Sequence, residues 1–365
     1  MGMPITYFRS SSYNGWDMCP MQYMIEYVLG HRGKSGLAAD KGTIVHKVLE
    51  IIANAKIAHQ GGLTSITETD IGTHTWTVHE DTILDEEQVD EITNVVFEYY
   101  KTRTPHKWAP KDYRDVHKWV QKALALNDGE FDPRNKDIVE AEARFDFEIE
   151  EPWAYYKLDE VEGFLALKGT IDQVNRVDDT TLEILDWKTG RRLNWATGKE
   201  KDYAALCKDP QLRIYHYAAH KMWPEIEQIL VTIYFINDGG PFTVCFGPEE
   251  LKETEKMLQK RFEEIKTNEM PQKKVSWKCS KFCGQGKSTF EGTTNKEGGD
   301  IKPLIQRQDG HVTKAGQVMS KCEQTDYALR HKGMESVIKN MTADGHEVAF
   351  YKAPGEVEEE KKDEA

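Results

Sequence analysis

The sequence predicts an α/β fold, a β-sheet flanked by helices with a helical region ahead of it. Three observations carry that prediction. Apolar residues recur at helical spacing up to about residue 126, the period changes to two at residue 138, and amphipathic helices return around the last strands. With 365 residues and 39 % hydrophobic content, the chain has material for a sizeable core.

In chain order, "YNGWDMCPMQYMIEYVLG" (13–30) and "KGTIVHKVLEIIANAKIAH" (41–59) each gather apolar residues on one helical face. "TSITETDIGTHTWTVHEDT" (64–82) reads as a polar loop with strand-like pieces, and helices follow near 84–101 and 112–126. The alternation in "IVEAEARFDFEIE" (138–150) predicts a half-buried strand. "LALKGTIDQVNRV" (165–177) and "TLEILDWK" (181–188), joined by the turn "DDT", continue it as a short antiparallel meander. "PQLRIYHYAAHKMW" (210–223) predicts a helix, "QILVTIYFIND" (228–238) and "FTVCFG" (242–247) predict strands, and Pro248 opens the amphipathic helix 248–266. Residues 291–315 read as an extended loop and 317–342 as a final helix. The acidic tail beyond is expected to be disordered.

The net charge of −14 argues against a general nucleic-acid coat, because phosphate binding relies on Lys and Arg. Basic residues interleaved with aromatics nevertheless concentrate at 101–119, 188–201 and 273–287, so local grooves can be positive. Taken alone, each such run is ordinarily a solvated face. Six cysteines, at 19, 207, 245, 279, 283 and 322, are too few and too uneven for a disulfide scaffold, which points to a reducing compartment. Cys207 and Cys245 sit in apolar context and read as core residues. Neither a long apolar run nor a signal-peptide pattern appears, so a cytoplasmic protein with no membrane partner is expected.

Chemistry concentrates in "EILDWKTG" (183–190). Asp186 and Lys188 lie two apart on a strand and therefore share a face. The preceding strand carries Asp172, which a hairpin brings beside Asp186. Two such carboxylates repel unless a cation sits between them. Oxygen ligands suit Mg²⁺ or Mn²⁺, and an imidazole such as His46 favours Mn²⁺. Singly, an Asp near a Lys is ordinarily a surface ion pair, and a helical His is ordinarily packed or exposed.

As an ordered set, "GTIVH" (42–46), "GTIDQV" (169–174), "LDWK" (185–188) and "QLRIY" (211–215) resemble the motifs of the PD-(D/E)XK nuclease superfamily. Within it they are similar to the RecB/AddB-like branch, which includes the iron-sulfur exonucleases of CRISPR adaptation and phage exonucleases. The resemblance implies a restriction-endonuclease-like core, a central mixed β-sheet flanked by helices, plus an N-terminal helical region. It places one nuclease domain over 1–290 (helical part about 1–130, sheet core about 137–246), a C-terminal loop and helix over 291–343, and a tail over 344–365. The implied activity is a metal-dependent DNA exonuclease acting on DNA ends or single strands in recombination, repair or phage DNA metabolism. Recombination or replication proteins are implied partners, in a bacterial cell or phage-infected host. A structure-specific endonuclease and a non-cleaving DNA-binding or assembly factor are the alternatives.

Carried over by motif, His46, Asp172, Asp186 and the backbone carbonyl of Trp187 become metal ligands. Lys188 becomes the residue that orients the attacking water and offsets phosphate charge, while Gln211 and Tyr215 steady the site and the DNA end. Glu140 or Glu142 is either an outer-shell carboxylate or a surface strand residue. In the iron-sulfur members one cysteine lies near the N-terminus and three follow the core. That pattern points to Cys19, Cys279, Cys283 and Cys322 as holders of a structural 4Fe-4S cluster, with zinc or unligated thiols as alternatives. The Cys279–Cys283 spacing of C-x3-C departs from the usual C-x2-C. "GQGKST" (284–289) is no phosphate loop, because Lys281 stands where its first glycine belongs.

Overall fold

A computed structural model describes residues 2–33, 35–158, 161–194, 197–276, 279, 283, 285, 289–290, 317–318 and 320–346. The elements, in chain order, are β1 (Tyr7–Phe8), α1 (Ser10–Met18), α2 (Pro20–Tyr23), α3 (Leu37–Gln60), β2 (Ser65–Glu68), β3 (His74–Thr77), α4 (Glu86–Arg103) and α5 (Pro110–Ala125). There follow β4 (Ile138–Glu148), β5 (Tyr155–Leu158), β6 (Val161–Phe164), β7 (Ala166–Arg176), β8 (Thr181–Lys188), α6 (Tyr203–Leu206), α7 (Pro210–Met222), β9 (Gln228–Phe235), β10 (Phe242–Cys245), α8 (Pro248–Lys266) and α9 (Lys321–Met341). The chain divides into two compact units, one formed by Met1–Lys34, Asp146–Lys168 and Lys256–Ala365, the other by Ser35–Phe145 and Gly169–Glu255.

The second unit holds the sheet and the long helices. β7 and β8 pair antiparallel in a register that sets Gln173 opposite Leu185, and β4 joins the free side of β7. β8 and β9 run parallel from Thr181–Gln228 to Lys188–Phe235, and β10 returns antiparallel to β9. A parallel pair needs a crossover, and α7 supplies it. The sheet is therefore mixed and flanked by helices, as the fold class predicted. Most of β8 is buried, Glu183 and Asp186 included. Beside it, α3 buries Ile44, Val48, Ile51 and Ile52 among residues of α4 and α5, such as Val89, Val96, Val116 and Val120. Asp85 caps α4 through the Gln88 N–H, and Asp209 caps α7 through the Gln211 N–H.

In the first unit, β1 runs parallel to the start of β7, with Tyr7 opposite Ala166. Arg261 of α8 donates to the Tyr13 carbonyl at 2.7 Å and pairs with Asp17 at 2.7 Å. The helix expected over 13–30 is interrupted. α1 stops at Met18, Cys19 is extended at φ −166°, and Pro20 starts α2, with a π-helical turn over Met24–Val28. Pro20 lacks an N–H and pushes the preceding residue out of the helical region, so one amphipathic pattern becomes pieces with half-buried Cys19 at the corner between them.

Two short hairpins were less legible. β2–β3 forms inside the Thr-rich stretch, and β5–β6 pairs Tyr155 with Phe164 in a segment read as no element at all. Strands this short carry too few alternations to stand out. The last predicted helix forms over Lys321–Met341 behind a Ser320 cap, but it is broken by a kink at Gly333, whose φ of 78° is non-helical. The predicted loop 291–315 and most of the acidic tail lie outside the described residues. Cys245 is a correction to the core reading: it is exposed, because it falls on the outward phase of the edge strand β10, and Cys207 is only half-buried.

Candidate active site

Within the second unit, α3, β4, β7 and β8 meet around a cavity of about 500 Å³. Gly42 lets α3 approach the residues following β8, since a Cβ there would stand 2.8 Å from Thr189 Oγ1. Gly169 does the same between β7 and β4, where a Cβ would fall 2.3 Å from the Phe145 ring. These glycines belong to "GTIVH" and "GTIDQV", so each motif contains the close approach that positions its functional residue.

His46 of α3 faces Asp172 of β7, with Nδ1 3.4 Å from Oδ1. The other Asp172 oxygen accepts the Trp187 N–H at 2.6 Å, which ties the carboxylate to the backbone of β8. Trp187 lines the cavity while its indole packs on Tyr234. Glu142 completes the group: His46, Glu142 and Asp172 each offer a ligand atom, all within 4.8 Å of one another. Glu142 sits at φ +50° in the middle of β4, a left-handed conformation that costs a non-glycine residue about 1–2 kcal/mol. That twist is invisible to an alternation pattern, which is why sequence reasoning left Glu142 level with Glu140. Only Glu142 lines the cavity.

Asp186 and Lys188 are joined directly, Nζ lying 2.5 Å from Oδ2. Gln211 of α7 donates to the other Asp186 oxygen at 3.1 Å and to the Tyr215 hydroxyl at 2.9 Å. Lys188 lines the cavity, whereas Asp186, 2 % exposed, stands behind it with Gln211 and Tyr215. Asp186 is thus placed beside Lys188 rather than within the tight His46–Glu142–Asp172 group.

Burial is the main reason the Asp186 carboxyl is pushed up to about 6, with Lys188 opposing and Asp172 adding to the rise. Burial, then the Asp172 and Glu50 carboxylates, push Glu142 up to about 7. Burial also works against a charged Asp172, yet His46, Lys188 and the Trp187 N–H hold its pKa below the usual carboxylate range. Burial disfavours charge on His46 and Lys188 too, but Asp172 and Asp186 respectively raise their pKa values. The Lys188 ammonium therefore stays protonated at neutral pH.

This donor set fits a hard divalent cation. Two carboxylates and an imidazole converge, and one carboxylate is held well above its ordinary pKa. A second acidic group, Glu50, Glu68 and Asp70, is already served by the Lys47 ammonium at 2.9, 2.9 and 3.3 Å.

In the first unit, Cys19, Cys279, Cys283 and Cys322 line a single cavity of about 370 Å³. The Lys274 N–H points to Cys19 Sγ at 3.5 Å and the Ser276 N–H to Cys279 Sγ at 3.4 Å. Burial first, then neighbouring Cys19 and Cys283, push the Cys322 thiol up to about 12, with Lys273 opposing. These four thiols are a donor set of the kind that holds a metal ion or cluster. Among the described residues, no group of three or more ligand atoms within 4.8 Å of one another contains a cysteine.

The family model of the PD-(D/E)XK nuclease superfamily matches residues 10–285, more than half of the chain, and the chain belongs to that superfamily. No curated protein matches it. Among solved structures, it is similar to the crystal structure of a Eubacterium rectale protein named as a putative exonuclease, at 11 % identity and a TM-score of 0.39, over 71 % of this chain and 79 % of that one. It is also similar to the crystal structure of SSO0001, at 11 % identity and a TM-score of 0.30, over 76 % of this chain and 82 % of that one. Among the described residues, no helix is long and apolar enough to cross a membrane.

Proposed function

We propose that this protein is a metal-dependent deoxyribonuclease of the RecB/AddB-like type that hydrolyses phosphodiester bonds at DNA ends or in single strands, in recombination, repair or phage DNA metabolism. The observation that carries the reading is the cavity shared by His46, Glu142, Asp172 and Lys188, with Asp186 directly behind the lysine. His46, Glu142 and Asp172 would hold Mg²⁺ or Mn²⁺, with Asp186 and the Trp187 carbonyl from β8 as further ligands. A divalent cation bound there supplies a water of lowered pKa and positive charge for the non-bridging phosphate oxygens.

The remaining work belongs to the chain's own side chains. Lys188, kept protonated by Asp186, presents an ammonium to the charge that develops on the phosphate and orients the attacking water. It is a charge stabiliser rather than a general base. Gln211 holds Asp186 and Tyr215 in register, so the lysine's partner does not rotate away. The four thiols of the first unit would hold a structural 4Fe-4S cluster, which fastens the chain before the nuclease core to the chain after it. Their convergence on one cavity supports that reading.

The test compares end-labelled linear DNA with covalently closed circular DNA, with Mg²⁺ or Mn²⁺, using protein purified without oxygen. Degradation of the linear form alone, and a loss of about a hundredfold or more in Lys188→Ala, as for removal of one transition-state charge stabiliser, is the expected result. Cleavage of the circle would point instead to an endonuclease. Binding without cleavage of either substrate would overturn the enzyme reading in favour of a DNA-binding factor.

A further inference from the structure

The basic run at 101–119 takes part in neither the carboxylate site nor the thiol cavity, and its placement is unlike that of an ordinary solvated face. Residues 101–122 contain seven Lys and Arg against two acids, in a chain whose net charge is −14. Both acids are already engaged: Lys41 Nζ contacts Asp112 at 3.3 Å and Asp115 at 2.8 Å. On α5, Lys111, Arg114, Lys118 and Lys122 follow one another at intervals of three or four residues and are all exposed. They therefore form one stripe. The stripe covers twelve residues, about 16 Å along the helix axis, and Lys122 at its end also donates to the Ile236 carbonyl at 3.1 Å.

Several cations on other solvated faces are paired within their own helix. α4 pairs Lys101 with Glu98, and α8 pairs Lys252 with Glu249, Lys260 with Glu264 and Lys266 with Glu263. Among the described residues Lys107, Lys111, Arg114 and Lys118 make no ion pair. One flank of α5, next to the stripe, is tied to the wall of the active-site cavity. Lys41, which holds Asp112 and Asp115, immediately precedes Gly42 of that wall, and His106, just ahead of α5, contacts Asp40 at 2.7 Å. The aromatics of the run point inward, Trp108 and Tyr113 each edge-on to Phe97. Charge is thus on offer without a stacking platform.

We propose that the exposed face of α5, extended by Lys107, is a phosphate rail that holds a nucleic-acid backbone alongside the active-site cavity, without reading its bases. The inference rests on the nuclease reading of that cavity. Its length matches about five nucleotides of one strand at 3.4 Å per nucleotide. A contact of this kind shifts affinity uniformly across sequences and carries its own share of the salt dependence.

The test measures binding of a fluorescent thirty-nucleotide thymidine strand, and of a thirty-base-pair duplex, in EDTA between about 50 and 200 mM salt. The Lys111→Gln/Arg114→Gln/Lys118→Gln variant is compared with the wild type and with a Lys252→Gln/Lys256→Gln/Lys260→Gln control. Single Lys118→Glu and a thermal melt guard against misfolding. Expected is a salt slope shallower by about two for the strand, three contacts at about 0.7 each, and affinity at least about tenfold weaker at low salt, with the control unchanged. Equal loss in rail and control variants, an unchanged slope, or a wild type that binds neither probe would overturn the proposal. The nuclease reading fails separately, if wild-type protein binds through the rail but cuts neither linear nor circular DNA with Mg²⁺.

Discussion

Lys188 Nζ stands 2.5 Å from Asp186 Oδ2, and Gln211 Nε2 holds the other oxygen of the same carboxylate at 3.1 Å. Two residues apart on one strand, the half-exposed lysine and the buried aspartate form a pair whose geometry is set by a third side chain from another element. Removing that third group tests the arrangement without touching the charges. Gln211→Ala leaves a buried carboxylate oxygen and the Tyr215 hydroxyl without their donor, which costs about 1.5–3 kcal/mol for a hydrogen bond to a charged group. Cleavage assays should show turnover reduced about tenfold to a hundredfold with little change in KM. Unaltered turnover would remove Gln211 from the positioning of Lys188.

The thiol cavity predicts a division among the six cysteines. In anaerobically purified protein, Cys19→Ser, Cys283→Ser and Cys322→Ser should each lower bound iron and sulfide and reduce the melting temperature. Cys245→Ser, at an exposed position, should do neither. Stoichiometric zinc without iron would replace the cluster by a single ion, and metal-free protein of equal stability would leave four thiols with no ligand.

His216 of α7 is fully buried, its Nδ1 has no hydrogen-bond partner among the described residues, and its Nε2 lies 3.1 Å from that of His220. Burial, then His220, lowers its pKa from 6.5 to about 4. A histidine depressed in this way stabilises the fold fully above pH ~6.5, where both states are neutral, and the contribution is lost as pH falls toward about 4. The loss amounts to about 3 kcal/mol at most. Denaturant midpoints measured from pH 7 to 4.5 should fall less steeply in His216→Phe than in the wild type. Parallel curves would assign the acid sensitivity elsewhere.

Gly169 tests the close packing at the cavity. A Cβ at that position meets the Phe145 ring at 2.3 Å, so Gly169→Ala should cost about 1–3 kcal/mol through overpacking. Phe145→Leu in the same chain should recover part of it. A melting temperature unaffected by Gly169→Ala would mean that β4 and β7 separate easily there, which the Glu142–Asp172 proximity does not allow.

Much of the molecule was legible because its signals are local and periodic. The two-residue period marks β7 and β8, the three-to-four-residue period marks α3 and α5, and Asp186 and Lys188 share a face by spacing alone. The order of the four motifs named the superfamily, because each pairs a functional side chain with the glycine or strand that positions it. Tertiary structure decided what no local pattern encodes. It turned Glu142 toward His46 by a left-handed backbone angle and set Asp186 behind Lys188 rather than beside His46. It also broke the first helix at Cys19–Pro20 and gathered four cysteines from three distant segments into one hollow. It separated the α5 stripe from the other charged faces by spending its nearby acids on Lys41. Sequence encodes local spacing and turn chemistry directly. Contacts between residues far apart in the chain exist only once the core has packed.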